Sequence, residues 1–220
     1  MQNKELDNIP NKWNIHATSL EVSSLGTLGG LISIEHGIFE TIQGNIPTNG
    51  IIINAIGPGH WYWKEGGERA MTLIQNFLIT GIVAIIIGIA IIIWSIKFIQ
   101  GKYGALGLLT LTVLTLLFGG GIAFFIIGII ISIIATQINK SQIWWDNHLS
   151  NKIKKYFTKL WLPFFSISII VLILLVLGGI FGIWFLDPDN ATIILTYVGL
   201  ISIGLITFTI IFGFVHDIEN

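Results

Sequence analysis

Residues 104–136 read GALGLLTLTVLTLLFGGGIAFFIIGIIISIIAT and contain no charged side chain. As one α-helix these 33 residues would be about 50 Å long, whereas the hydrocarbon core of a bilayer is about 30 Å thick. Fitting that helix into the core would need a tilt of about 53°, beyond the usual range of about 0 to 40°. Three consecutive glycines, Gly119 to Gly121, stand near the middle and permit a tight turn. The stretch therefore predicts a helical hairpin with arms at about 103–119 and 121–137.

The positive charges test this hairpin, because Lys and Arg collect in the cytoplasmic loops of membrane proteins. With a hairpin and a cytoplasmic N-terminus, nine of the eleven Lys and Arg residues lie on the cytoplasmic side, and Lys64 and Arg69 lie outside. A single span at 104–136 would divide the same residues seven to four in its better orientation. The charge pattern thus favours the hairpin and places both termini in the cytoplasm.

The remainder of the chain also has the composition of a membrane protein. The full chain of 220 residues is 53% hydrophobic and 10% charged, whereas about 25% of the residues of soluble domains are charged. The alternating polar residues of a transmembrane barrel are absent, which leaves helices. The predicted fold class is all-α, a polytopic transmembrane helical bundle of the cell membrane. It forms a single domain over 1–220, with about six segments at 20–43, 72–96, 103–119, 121–137, 161–185 and 192–214.

The first segment, 20–43, is the least apolar of the six. Gly26 and Gly30 form a G-x-x-x-G pair that Ser33 and Gly37 extend, and such a ridge of small residues lets another helix approach closely. The contact could lie inside the bundle or between subunits. A homo-oligomer and a partner membrane protein are therefore both compatible with the sequence.

The same segment carries the ionisable residues from which we predict a site. His36 and Glu40 share a helix face, and Glu35 points about 100° away from His36. Ionisable side chains at membrane depth usually face a cavity or a partner. The pair could form a proton relay, part of a metal site or a hydrogen bond between helices. The candidate polar intramembrane site comprises Glu35, His36, Glu40 and His60, and Glu65 and Glu68 could cover the same outer cavity with His60.

A basic segment between 140 and 160 has the spacing of an amphipathic helix. We predict that it lies in the cytoplasmic interface, with its lysines on anionic lipid headgroups. The residues of this predicted lipid interface are Trp144, Trp145, Lys152, Lys154, Lys155 and Lys159. A topology anchor would have the same residues, so specific lipid binding is one interpretation of two.

Several function classes lack their usual sequence features. The chain has no Cys, no G-x-x-x-x-G-K-[ST], no H-E-x-x-H and no G-x-S-x-G. It has no basic or acidic tail that would indicate nucleic acid binding. We predict no cofactor and no bound metal, because one His and Glu pair is not a ligand set.

Several short motifs carry a resemblance to known proteins. They are IEHGIFE at 34–40, QGN at 43–45, AIGP at 55–58, KYGA at 102–105, the Gly119 triplet and DPD at 187–189. Together they resemble segments of uncharacterised prokaryotic multi-pass membrane proteins, over most of the chain. The resemblance implies a membrane bundle and adds no catalytic role.

The sequence leaves three hypotheses about function. The leading one is a non-enzymatic small transporter or channel component, or a membrane-embedded accessory subunit, with Glu35, His36 and Glu40 lining a water-accessible cavity. The second is a membrane enzyme that acts on a lipid or an isoprenoid through the same residues. The third is a structural protein whose basic segment binds anionic membrane lipids or a partner.

Overall fold

The protein is mostly helical, as the sequence predicts. The computed structural model describes residues 16–56, 68–138, 140, 143–185 and 188–219, with their side chains except at 123, 178–185, 188–192 and 195. The elements in chain order are α1 (Ala17–Gln43), β1 (Ile52–Ile56), β2 (Glu68–Met71), α2 (Phe77–Lys97), α3 (Gly104–Leu117), α4 (Ile122–Ala135), α5 (Ile143–His148), α6 (Asn151–Phe185) and α7 (Pro188–Glu219).

Three helical stretches are long and apolar enough to cross a membrane. They are Phe77–Lys97, Asn151–Leu177 and Thr196–Glu219, and α3 and Phe124–Ala135 are shorter apolar helices. Each of the six predicted segments falls on a helix, although α2 begins later than predicted because Asn76 caps it by accepting a hydrogen bond from the backbone N–H of Ile79. That all six cross the membrane remains a prediction.

Helix α2 shows why the bundle suits an apolar solvent. One side packs in the core, and the opposite side presents a stripe of isoleucines at heptad spacing. The exposed members of this stripe are Ile79, Ile82, Ile86, Ile89, Ile93 and Ile96. In water such a continuous stripe would be an unusually large apolar surface, whereas hydrocarbon solvates it without cost.

Helices α1 and α2 pack antiparallel at very short range through glycines. A Cβ added to Gly30 would lie 2.6 Å from the carbonyl oxygen of Gly88, and one added to Gly37 would lie 2.5 Å from that of Gly81. Ser33 also donates a hydrogen bond to the carbonyl oxygen of Ala84. The predicted ridge of small residues on α1 is therefore used inside the bundle, against α2.

The predicted hairpin in 104–136 is confirmed. α3 ends at Leu117, α4 begins at Ile122, and a Cβ added to Gly128 would lie 2.5 Å from Thr112 Cγ2, so the two arms lie side by side. Lys102 and Lys140, at the far ends of the arms, line one cavity. An unbroken helix would have separated them.

The connection between α1 and α2 contains the two short strands of an otherwise helical fold. β1 and β2 form an antiparallel pair, with Ile53 opposite Ala70. The chain after β2 continues to the tip of the hairpin, where Leu73 N–H donates to the Leu117 carbonyl and Gly119 N–H donates to that of Met71. β-Branched isoleucines favour extended backbone, and the pairing satisfies groups that the hairpin tip leaves without helical partners.

The predicted separate basic interfacial helix is wrong for residues 151–160. These residues are the first turns of α6, which continues through Pro163 to Phe185. Packing explains the continuation, because the ring of Phe157 lies 4.7 Å from that of Phe212 on α7. The basic turns are thus held against α7 as part of a long helix.

The last helix closes on the first. The Asp217 carboxylate of α7 accepts hydrogen bonds from the backbone N–H groups of Ala17, at 2.6 Å, and Thr18, at 3.0 Å. These groups have no partner within α1, so Asp217 acts as its N-terminal cap. The start of α1 and the end of α7 therefore lie at the same end of the bundle.

We expect Gly30→Ala to destabilise the protein by about 1–3 kcal/mol, because the new Cβ would overlap the α2 backbone. Gly204→Ala on α7 is the matched control, since a Cβ there meets nothing within 4 Å. The control should be neutral or gain up to about 1 kcal/mol from helix propensity. Thermal unfolding in detergent measures both, and equal stabilities would contradict the close α1–α2 packing.

Candidate functional site

The candidate residues of α1 differ strongly in exposure. His36 is 1% exposed and Glu40 is fully buried, whereas Glu35 is half-buried, as its direction around the helix predicts. His60 lies outside the described residues. The structure thus places two of the predicted residues inside the protein on one helix face.

The inner face of α1 contacts the glycine turn, Gly119–Gly121, at the tip of the α3–α4 hairpin. A Cβ added to the first, second or third glycine would lie 2.6 Å from Glu40 Oε1, 2.6 Å from Ser33 Oγ or 2.9 Å from His36 Nε2, respectively. The first and third glycines also have φ of +90° and +94°, which side-chain-bearing residues rarely adopt. Both the bend and the contact with α1 therefore require glycine.

Glu40 is the most unusual group of this contact. Neither of its carboxylate oxygens has a hydrogen-bond partner among the described residues, and the side chain is 0% exposed. Buried polar atoms are normally hydrogen-bonded, and a charged carboxylate without donors is especially costly to bury. The pocket around Glu40 therefore suits a bound proton or a transient cation better than a permanent bare charge.

His36 connects this interior to the strand pair. Its Nδ1 lies 3.0 Å from the Ile32 carbonyl oxygen, to which it donates as N–H, and its Nε2 lies 3.1 Å from Glu68 Oε2. The second contact has the distance of an ion pair without the alignment of a hydrogen bond. The Glu68 side chain is 43% exposed, so it reaches from the imidazole to the surface. Glu68, which the sequence analysis grouped with His60 and Glu65, thus contacts His36.

Glu68 interacts electrostatically with both His36 and Glu35. The contact with His36 holds the pKa of Glu68 below its usual 4.5 and outweighs its partial burial, which acts in the opposite direction. Glu35 is also close enough to interact electrostatically with both His36 and Glu68. Glu35, His36 and Glu68 thus form one electrostatically connected group near the C-terminal end of α1.

Sequence reasoning missed a second buried acid at the other end of α1. Glu21 is 1% exposed, and its Oε1 accepts a hydrogen bond of 2.6 Å from Trp161 Nε1 on α6. Its other oxygen has no described partner and lies against Gly213 of α7. A carboxylate within an apolar segment is visible in the sequence, but no local pattern indicates that Trp161 is its partner. The contact joins α1 to α6 and α7.

The predicted lipid-interface residues do not form one uniform surface. Lys152, Lys155 and Lys159 are exposed, and so is Trp144. Lys154 is buried and its Nζ lies 2.6 Å from Asp146 Oδ1. Trp145 is half-buried and its ring lies 6.5 Å from that of Phe214. Lys154 and Trp145 are therefore held by protein contacts, which leaves the other four residues for a lipid surface.

The site offers acid–base chemistry from its own side chains. Within the described ranges, no three His, Asp or Glu residues are grouped as a metal site would need. Comparison with known proteins finds no family model, curated protein or solved structure that matches the chain. What the site can do is therefore inferred from its geometry alone.

We expect Glu68→Gln to flatten the acid branch of the stability profile. Because the folded pKa of Glu68 is lowered, its contribution is complete above 4.5 and is lost as the pH falls below that value. Unfolding temperatures in detergent between pH 6 and 3 should therefore fall less steeply in the variant. Glu219→Gln, at an exposed acid of α7, is the control. Equal slopes in the two variants would contradict the His36–Glu68 contact.

Proposed function

We propose that the chain is a six-segment membrane protein, with both termini in the cytoplasm, that acts as a small proton-handling transporter component. The protonatable groups are Glu40 and His36, and Glu68 provides the outer connection. A membrane-embedded subunit that supplies this proton step to a larger transporter is included in the proposal.

The observation that carries the proposal is the fully buried carboxylate of Glu40, which lies against the glycine turn and has no hydrogen-bond partner among the described residues. A group that only joined two helices would have a donor within reach, as Glu21 has in Trp161. Ionisable groups inside membrane proteins usually mark proton or ion pathways. Glu40 has the burial of such a group and lacks the hydrogen bond of a structural one.

A short series of groups leads from Glu40 to the surface. His36 is one helical turn away on the same face, where Cβ atoms four residues apart are about 5–6 Å from each other. Its Nε2 in turn is 3.1 Å from the partly exposed Glu68. Because the Nδ1 N–H is held by the Ile32 carbonyl, Nε2 is the nitrogen of His36 that exchanges a proton with Glu68 and the interior.

The hairpin supplies a structural element that transporters use. α3 and α4 have 14 residues each, about 21 Å, which is shorter than the hydrocarbon core of about 30 Å. Transporters commonly place non-helical backbone between short helices beside an ion site. The glycine turn has this position relative to Glu40.

Neither the burial nor the contacts favour the simplest alternatives. An open channel would hydrate His36 and Glu40, but both are buried. The water-accessible cavity expected from the sequence is therefore not part of the proposal, in which protons exchange with the surface through Glu68. A lipid-directed enzyme would need these groups to open sideways to lipid, whereas they face the glycine turn. Proton exchange is compatible with both contacts.

We expect Glu40→Gln to abolish proton uptake into proteoliposomes, measured with an enclosed pH-sensitive dye under an imposed membrane potential. The variant keeps the size of the side chain and removes its acid, and a loss of at least about tenfold corresponds to removing a general acid–base group. Glu219→Gln is the control and should retain wild-type uptake. Wild-type uptake no faster than that of empty liposomes, or unchanged uptake in Glu40→Gln, would overturn the proposal.

A further inference from the structure

A cavity of about 680 Å³ lies at the end of the α3–α4 hairpin opposite the glycine turn. The two arms touch at Thr112 and Gly128, and the cavity opens between them beyond that contact. Leu106 and Leu109 of α3 and Ile133 of α4 line its wall. The cavity is therefore a groove between two apolar helices, separate from the Glu40 site.

The wall of this groove is open to the surroundings. Leu106 is 59% exposed, Leu109 is 36% exposed and Ile133 is 61% exposed. In a membrane these side chains face acyl chains rather than water. From Ala105 to Leu109 the α3 wall extends about 6 Å at 1.5 Å per residue, which is enough to seat the upper part of one acyl chain.

The mouth of the groove is positively charged. Lys102 and Lys140 line it from the two arms, both are exposed, and no acidic residue is among the groove's lining residues. Neither lysine forms an ion pair with a carboxylate of the described chain. Tyr103, 63% exposed beside Lys102, is typical of residues at the headgroup level. Two lysines without a carboxylate partner among the described residues thus lie at the mouth of an apolar groove, at the predicted interface.

We propose that this groove binds one anionic phospholipid. Its phosphate lies between Lys102 and Lys140, and one acyl chain lies along Leu106, Leu109 and Ile133. This inference goes beyond the proposed proton step and shares with it only the membrane placement.

Charge decides between a lipid and a second copy of this chain as the occupant. Further exposed lysines at the same end of the bundle are Lys97, Lys152, Lys155 and Lys159. Of the described acids there, Asp146 pairs with Lys154 and Asp217 caps α1, so the exposed Glu219 stands against four further exposed lysines. A second copy would bring like charges to the groove, whereas an anionic headgroup is complementary to it.

Native mass spectrometry of the full chain in detergent, titrated with phosphatidylglycerol or phosphatidylcholine of equal acyl chains, tests the proposal. We expect one phosphatidylglycerol to bind more tightly than phosphatidylcholine. Lys102→Gln with Lys140→Gln should weaken it about 30-fold, which is about 1 kcal/mol for each lysine near an anionic surface. The charge-matched control is Arg69→Gln with Lys97→Gln, at two exposed cations outside the groove lining, which should retain wild-type affinity.

A second pair of variants tests the apolar part of the site without changing charge. Leu109→Trp fills the groove and should weaken phosphatidylglycerol binding, whereas Ile86→Trp, at an exposed position of α2 outside the groove, should not. Excess inorganic phosphate should not displace the lipid, because it cannot occupy the apolar wall.

Four outcomes would overturn the proposal. They are equal weakening by the Lys102/Lys140 and Arg69/Lys97 double variants, equal binding of the two lipids, unchanged binding in Leu109→Trp, and a doubled protein mass that replaces the lipid adduct. Glu40→Gln should bind phosphatidylglycerol as the wild type does. Failure of the proton proposal would therefore leave this result unchanged, and failure of lipid binding would leave proton uptake unchanged.

Discussion

The structure depends on enclosing the ionisable side chains of one helix within protein. α1 carries Glu21, His36 and Glu40 on buried positions, and lipid offers such groups no hydrogen bonds. The other elements are arranged around this need. α2 approaches through glycines and covers one side, the hairpin tip covers Glu40 and His36, and Trp161 of α6 donates a hydrogen bond to Glu21. The apolar outer faces of the remaining helices can then meet hydrocarbon.

The glycine turn links the predictable and unpredictable parts of the fold. Its position could be predicted because segment length, the uncharged stretch and the distribution of lysines are properties of the sequence alone. Its partner could not, because the contact between Gly119 and Glu40 joins residues far apart in the chain. Single-sequence periodicity reports which residues share a face, and it does not report which helix that face meets. The same limit hid the contact between Glu21 and Trp161.

Tertiary contacts determine two features that the sequence did not predict, the β1–β2 strand pair and the continuous helix through the basic turns of α6. The isoleucine-rich stretch of β1 is too short to span a membrane, and its pairing with β2 places Ile53 opposite Ala70, a contact that no local pattern reports. The basic turns of α6 have the spacing of a surface helix, but Phe157 packs on Phe212 and Lys154 pairs with Asp146. The amphipathic spacing of these turns therefore reflects one side that packs on protein as well as one side that is exposed.

The cap that Asp217 places on α1 has a consequence for how the chain assembles. Ala17 and Asp217 are 200 residues apart, so the first turn of the first helix keeps open N–H groups until the end of α7 has been synthesised. Insertion of the apolar helices and completion of the fold are then separate events. A nascent chain halted before residue 217 would contain all the apolar helices and would still lack the hydrogen bonds that join the end of α7 to the start of α1.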